Sequence, residues 1–374
     1  MAVTVLHVIE ALETGVARHV GDLIEFAEGV RHHVAAPSAR VGGMAAGTDD
    51  GALERFRAAG AVVHRVEMRR LPLAGRNIRA IGRIRRLATD HGVDVVHGHS
   101  AIGGALARVA ARGSGRVYTP NGLLTSAPVV AVERVLGRRT DRLVATSPSE
   151  ADLVRRLRLV DPERVVTIRN GIPIGAVPQS PLDLRAHLGL PPGAPLVGAV
   201  GRLVPQKAPL DFIAACRLVA PRLPGAHFVL VGNGPLAADV GRASETDAVL
   251  RGRLHAVGHV PGAAGVLPQL DVCVQASRYE GGPYVPLEAM AAGTPVVVSD
   301  AVGNRDLVEP GVSGLVVPVG DVVALGDAIS RVLEDAELSA ALAAAATERL
   351  HSLFDVRAMA RATVDLYREV AAAR

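Results

Sequence analysis

Short apolar runs along this chain alternate with longer stretches in which apolar positions recur at the helical spacing. That alternation is expected of βαβ units built around a parallel sheet. In the first half it predicts strands at Val3–Ile9, His33–Ala36, Val62–Val66, Val93–His97, Arg116–Thr119, Arg142–Ala145 and Val165–Ile168. The helix predicted at Ala17–Ala27 gathers Val20, Leu23, Ile24 and Ala27 on one face for packing against the sheet. Six prolines between Ile172 and Pro195 interrupt the pattern and mark a connection. It then restarts, with strands at Leu196–Val200, Phe228–Val231, Leu254–Val257, Val272–Ala276, Val296–Ser299 and Leu315–Val317. Helices are predicted at Leu210–Leu223 and Val285–Ala292. The simplest architecture is α/β: two doubly wound domains, residues 1–175 and 176–355, facing each other across a cleft where ligands would lie beyond the strands' carboxyl ends.

A length of 374 residues leaves room for two cores. With 49% hydrophobic and 21% charged residues, disorder is excluded as the main state. Aromatic residues are only 2% and Trp is absent, so the cores must be built from Ala, Val and Leu. Cys216 and Cys273, far apart in apolar surroundings, read as buried thiols rather than a disulfide or metal site. No apolar run approaches the roughly 18–20 residues that span a bilayer. Met1-Ala2-Val3-Thr4 lacks the basic region of a secretory signal and reads as the entry to a strand, so a cytoplasmic location is expected.

Charge adds two points. Lys207 is the only lysine, against 40 arginines, a bias that reflects composition and makes the surviving lysine informative. The charge is also lopsided, +8 over residues 1–175 and −4 over the remainder, which suggests domains with different ligands.

Three predicted strands of the second half run into chemistry-bearing segments. Gly201-Arg202 to Lys207 follows the first, and two fixed cations at a strand's carboxyl end suit a diphosphate, Arg as a planar fork and Lys as a point charge. Arg278-Tyr279-Glu280-Gly281-Gly282-Pro283 to Glu288 follows another, and here two carboxylates flank a Gly-Gly-Pro turn. Glu288 is expected in the first turn of the following helix, whose amino end suits an anion, and it could hydrogen-bond a ribose. The plainer alternative makes Glu288 a helix stabiliser and Glu280 a solvated loop acid. Gly232-Asn233-Gly234-Pro235-Leu236-Ala237 fits Gly-x-Gly-x-x-Ala. Pro235 removes an amide from any phosphate cradle and no ribose-binding acid follows the next strand, which argues against NAD.

In the first half, Gly15 sits in a turn that could let the backbone approach a diphosphate. His97-Gly98-His99 and Tyr118-Thr119-Pro120-Asn121 lie at strand ends. The two histidines lack a third metal ligand by spacing, so hydrogen bonding is the better reading. No Asp-x-Asp occurs, so the carboxylate grip of metal-dependent sugar transferases is missing.

Taken in order, these segments resemble the retaining family-4 glycosyltransferases of the GT-B fold, with Ser147-Pro148-Ser149-Glu150, Asn170-Gly171-Ile172, Gly303-Asn304 and Gly311 to Pro318 continuing the match. The resemblance implies that Arg202 and Lys207 neutralise the diphosphate of a nucleotide sugar, favoured as a UDP-sugar, and that Glu288 binds its ribose. Gly15 and the backbone around Gly281, Gly282 and Leu287 would also address the donor, and Glu280 the transferred sugar. It implies no metal and no cofactor beyond that donor substrate, retention of anomeric configuration by same-face attack, and a final helix (Val356–Val370 of residues 356–374) crossing back to the first domain. Many relatives carry His where this chain has Asn121, which cannot titrate, so His99 or a phosphate oxygen would serve as base. A nucleotide-sugar 2-epimerase of the same fold, or a non-catalytic partner protein, is the alternative.

The segment Arg65–Arg86 holds eight arginines and one acid, with Ile78, Ile81, Ile84 and Leu87 at three-residue intervals. It reads either as a cationic face for anionic lipid, as in relatives that glycosylate lipid-linked acceptors, or as an ordinary sheet-packing helix whose solvent face is Arg because the chain is Arg-rich; cell-envelope polysaccharide and secondary-metabolite glycosylation both stay open as pathways. Without interleaved aromatics it does not suit nucleic acid.

Overall fold

The computed structural model describes residues 2–12, 15–37, 50–68, 75–175 and 182–374. They form two compact units, Met1–Gly171 with Val356–Arg374, and Ile172–Asp355. The first contains the parallel strands β1 (Val3–Val8), β2 (Val30–Ala36), β3 (Val62–Arg65), β4 (Val95–His99), β5 (Gly115–Thr119), β6 (Arg142–Ala145) and β7 (Val165–Thr167). Their order is β3-β2-β1-β4-β5-β6-β7. The second contains β8 (Leu196–Val200), β9 (His227–Val231), β10 (Leu254–Gly258), β11 (Val272–Gln275), β12 (Val296–Ser299) and β13 (Leu315–Val317). These are ordered β10-β9-β8-β11-β12-β13. Both sheets run outward from their first strand in two directions, the doubly wound Rossmann-like pattern, with switch points between β1 and β4 and between β8 and β11.

The strands form because β-branched and small apolar residues fill them on both faces, as a sheet covered by helices on each side requires. In the first unit, Val3, Val5, Val95 and Val117 pack with Leu23 and with Met359, Leu366 and Tyr367 of the Val356–Ala372 helix. Leu6, Val8, Val96 and Ala35 pack on the opposite face with Ala80, Ile84 and Leu87. Cys216 and Cys273 are both buried and free.

The Gly75–Asp90 helix bears on the basic segment, of which residues 69–74 lie outside the described residues. Ile84 and Leu87 enter the core, Ile81 is partly covered, and Ile78 is 71% exposed. The three-residue series therefore does not form one lipid-facing stripe. A 3.6-residue period turns its later members into the sheet. No helix among the described residues is long and apolar enough to cross a membrane.

Tyr367 ties the last helix to the sheet through its hydroxyl, 2.6 Å from His97 Nδ1. Tyr367→Phe should cost about 1–2 kcal/mol, the scale for stranding one buried polar atom, read as a lower urea midpoint at unchanged m-value. An unchanged midpoint would show that the hydroxyl is not holding the helix.

Candidate functional site

At the switch point of the second sheet the backbone turns sharply at the end of β8. Gly201 has φ 149, and after the short Pro205–Lys207 turn Ala208 is left-handed at φ 49. That path directs Lys207 toward the loop leaving β11. Its Nζ lies 2.6 Å from Glu280 Oε1. The same carboxyl oxygen accepts from Gln275 Nε2 at 3.0 Å. Gln206 Nε2 donates to the Tyr279 carbonyl at 2.9 Å, and the Arg278 amide donates to the Gln206 carbonyl at 2.8 Å. The two loops are thus stitched together by backbone and side chain. Glu280 is only 7% exposed, which rules out the solvated loop acid.

Glycines let a third and fourth loop close in. A Cβ on Gly303 (φ 85) would stand 2.4 Å from the Gly281 carbonyl oxygen, while the Glu280 amide donates to the Val302 carbonyl. A Cβ on Gly232 (φ 143) would stand 1.9 Å from the Gly201 oxygen. The Gly-x-Gly after β9 therefore serves backbone packing against the cationic loop, with the Leu203 amide donating to the Asn233 carbonyl. This gives the motif a physical reason other than a dinucleotide.

The Tyr284–Ala291 helix begins beside Gly281 and Gly282. Its first-turn amides have no carbonyl partner within the helix, although Pro286 contributes none. Glu288, expected in the first turn, is the fifth helical residue and stands in the second, because the helix starts at Tyr284 rather than closer to Glu288. It is buried, at 5% exposure. Leu287 packs into the core, leaving only its backbone to any ligand. Arg202 is exposed on the loop that carries Lys207.

In the first unit, Gly15 is not in a turn but is the first residue of the Gly15–Phe26 helix; Thr14 before it lies outside the described residues. At the switch point, Glu10 accepts from Ser100 Oγ at 2.5 Å and from the Gly103 amide at 2.9 Å, a role invisible in the sequence. Asn121 follows β5 in the left-handed region (φ 55), with its Nδ2 donating to the Thr119 carbonyl at 3.2 Å. Buried Glu150 holds the neighbouring loop by accepting from the Gly122 amide at 2.9 Å and the Thr146 amide at 2.7 Å.

His99 is fully buried in a histidine array. His7 Nδ1 is 3.1 Å from His99 Nε2, and His7 Nε2 is 3.0 Å from His32 Nδ1. His97 Nε2 is 2.7 Å from Thr119 Oγ1. Spacing predicts no third ligand beside His97 and His99, yet the fold supplies His7 from a neighbouring strand. Both ring nitrogens of His97 are engaged by Tyr367 and Thr119, so hydrogen bonding describes that ring. Burial, reinforced by neighbouring imidazoles, holds His7, His97 and His99 well below the usual histidine range. His99 Nδ1 meets no protein partner.

The fold and the loop cluster at β8 and β11 define a two-unit Rossmann-like enzyme with fixed cations and a helix start at a strand switch point. The family profile described as "Glycosyltransferase Family 4" matches residues 14–175, and that described as "Glycosyl transferases group 1" matches residues 194–335. The chain is 32% identical over 262 residues, 66% of its own length and 68% of the relative's, to an Escherichia coli UDP-Gal:alpha-D-GlcNAc-diphosphoundecaprenol alpha-1,3-galactosyltransferase. It is 33% identical over 304 residues to a D-inositol 3-phosphate glycosyltransferase of Saccharomonospora viridis, covering 78% of this chain and 68% of that one. Among solved structures, Anabaena HepE in complex with UDP and glucose superposes with a TM-score of 0.81 at 20% identity, over 98% of this chain and all (100%) of that one. The chain belongs to the family-4, group-1 glycosyltransferases and has the GT-B fold.

Proposed function

We propose that this glycosyltransferase is a retaining hexosyltransferase that moves a sugar from a UDP-sugar to a hydroxyl acceptor. The observation that carries the reading is the Lys207–Glu280 contact at the β8–β11 switch point. An ammonium has three donors; Glu280 takes one, and the other two suit the donor's phosphate oxygens. Arg202 on the same loop and the start of the Tyr284–Ala291 helix add positive potential for the leaving diphosphate. We assign that charge to these groups rather than to a dication held by an Asp-x-Asp pair, which the sequence lacks. Glu288 is assigned to the ribose, Glu280 to the transferred sugar, and Gly15 with the Gly281–Gly282 backbone to the donor's approach.

Asn121 cannot titrate, and burial makes His99 a weak base. Half-buried Asn121 is suited to hydrogen-bonding a sugar hydroxyl, whereas His99 lies fully buried in its array, which leaves a leaving-phosphate oxygen to take the acceptor's proton. The UDP in the names of the E. coli relative and the Anabaena structure supports the choice of base. Acceptors in cell-envelope glycolipid or secondary-metabolite synthesis fit the relatives named for lipid-linked GlcNAc and for 2-deoxystreptamine. A lipid-borne acceptor would be met by exposed Ile78, Arg79, Arg83 and Arg86.

Lys207→Ala should weaken UDP-sugar binding by about 1.5–3 kcal/mol, the scale for hydrogen bonds to charged groups. Calorimetry with UDP-glucose and UDP-galactose reads this directly. Donor affinity equal to that of the parent chain would refute the assignment.

A further inference from the structure

On the sheet face opposite the buried histidine array, three more histidines converge. His33 on β2 and His64 on β3 come from adjacent parallel strands, and His91 follows the Gly75–Asp90 helix that packs on that face. His33 Nδ1 is 3.0 Å from His64 Nε2. The His91 ring centroid lies 4.4 Å from that of His33 and 5.0 Å from that of His64. One ligand nitrogen from each ring lies within 4.8 Å of the others. Two of the rings are half-buried and His91 is exposed, so an ion can enter from solvent.

We propose that His33, His64 and His91 form a binding site for a transition-metal dication of the zinc type, separate from the loops assigned to the sugar donor. Three imidazoles with a position open to water are a ligand set that zinc takes at about 2.0–2.1 Å per nitrogen. A tetrahedral ion at that distance needs nitrogens about 3.3 Å apart. The His33–His64 pair is already near that spacing, and His91, the exposed member, supplies the remaining contraction. Among the described residues no carboxylate joins the trio, so the site disfavours Mg²⁺ and Ca²⁺, which require oxygen ligands. Arg31 and Arg83 act on these rings electrostatically and further disfavour ions that bind by charge alone. On binding, the ring that donates in the His33–His64 hydrogen bond moves its proton to its other nitrogen. Three neutral imidazoles then offer lone pairs, and no net proton need be released.

The second sheet provides a control. His227 Nδ1 is 3.2 Å from His255 Nε2 on β9 and β10, the pair of strands corresponding to β2 and β3. Among the described residues no third ligand joins that pair.

The test is titration of chelator-stripped full-length protein with Co²⁺, read by its tetrahedral visible absorption, followed by displacement with Zn²⁺. One equivalent is expected to bind. His91→Ala and His64→Ala should each weaken it by about a hundredfold or more, since loss even of outer-shell partners costs 10–100-fold. His255→Ala and His99→Asn should leave it unchanged. His91→Ala changes an exposed ring, so folding does not obscure its result. Absence of the cobalt spectrum, or binding that survives His91→Ala, overturns the proposal.

Discussion

Replacing Glu280 with Gln is expected to lower kcat by about 10²–10³, the range for removing one fixed electrostatic contact at a reacting centre, while the Kd for free UDP changes only a few-fold. Gln keeps the volume of the side chain and its bond to Gln275, but removes the charge that holds Lys207 at 2.6 Å. Lys207 then loses its fixed direction, although its charge remains available to phosphate. A group addressing the transferred sugar should register in turnover; one addressing only the nucleotide should register in affinity. Steady-state kinetics beside UDP calorimetry separate the two. A kcat within threefold of the parent, or a loss wholly in UDP affinity, would remove Glu280 from the sugar's reacting face. Since removing one partner of a largely buried ion pair can cost about 3–5 kcal/mol, the measurement belongs below the variant's unfolding transition, checked by circular dichroism. The double variant with Lys207→Ala adds a test: two contacting side chains should show non-additive losses.

Much of this geometry was legible in the sequence, for a specific reason. Strands such as Arg142–Ala145, Leu196–Val200, Val296–Ser299 and Leu315–Val317 have the predicted bounds because buried parallel strands are compact β-branched runs bordered by turn residues. Lys207 and Glu280 could be nominated because each follows such a strand, and the switch-point rule places strand ends at the ligand. Their contact with each other could not be read. It depends on Gly201 and Ala208 adopting positive φ and on the Gln206–Arg278 backbone bond, details that periodicity does not encode.

The shift of Glu288 to the second turn has a similar origin. Pro283 and Pro286 both fit near a helix start, and the structure begins the helix directly after the first. The histidines show the limit most clearly. His97 and His99 are legible as a pair two residues apart, whereas His7 lies far off in sequence and reaches them, with His32 on its other side, only because β1 lies between β2 and β4. Glu10 carries no local signal for the same reason, since its partners Ser100 and Gly103 are some 90 residues away. Strand order, not local pattern, brings these groups together.

That assembly makes the amino-terminal unit acid-sensitive. His19 and His32 are each lowered to about 4, chiefly by burial, and His7, His97 and His99 are also held well below the usual histidine range, by burial and then by neighbouring imidazoles. An unfolded histidine titrates near 6.5, so below that pH the unfolded chain binds protons that the folded unit refuses. The stability contribution is complete above about pH 6.5 and is lost as the pH falls toward 4. At about 1.4 kcal/mol per histidine per pH unit, His19 and His32 alone remove up to about 7 kcal/mol across that window, a large fraction of an ordinary domain's stability. Among the described residues the carboxy-terminal unit has no equivalent: His227 and His255 are shifted in the same direction but lie only partly buried. Hydrogen exchange followed peptide by peptide from pH 7 to pH 4.5, corrected for intrinsic rates, should show β1 and β4 losing protection before β8 and β11. His32→Asn, which cannot take up a proton, should move the onset to lower pH. Simultaneous loss in both units, or a His32→Asn profile identical to the parent's, would mean that the buried imidazoles do not set the acid limit of the fold.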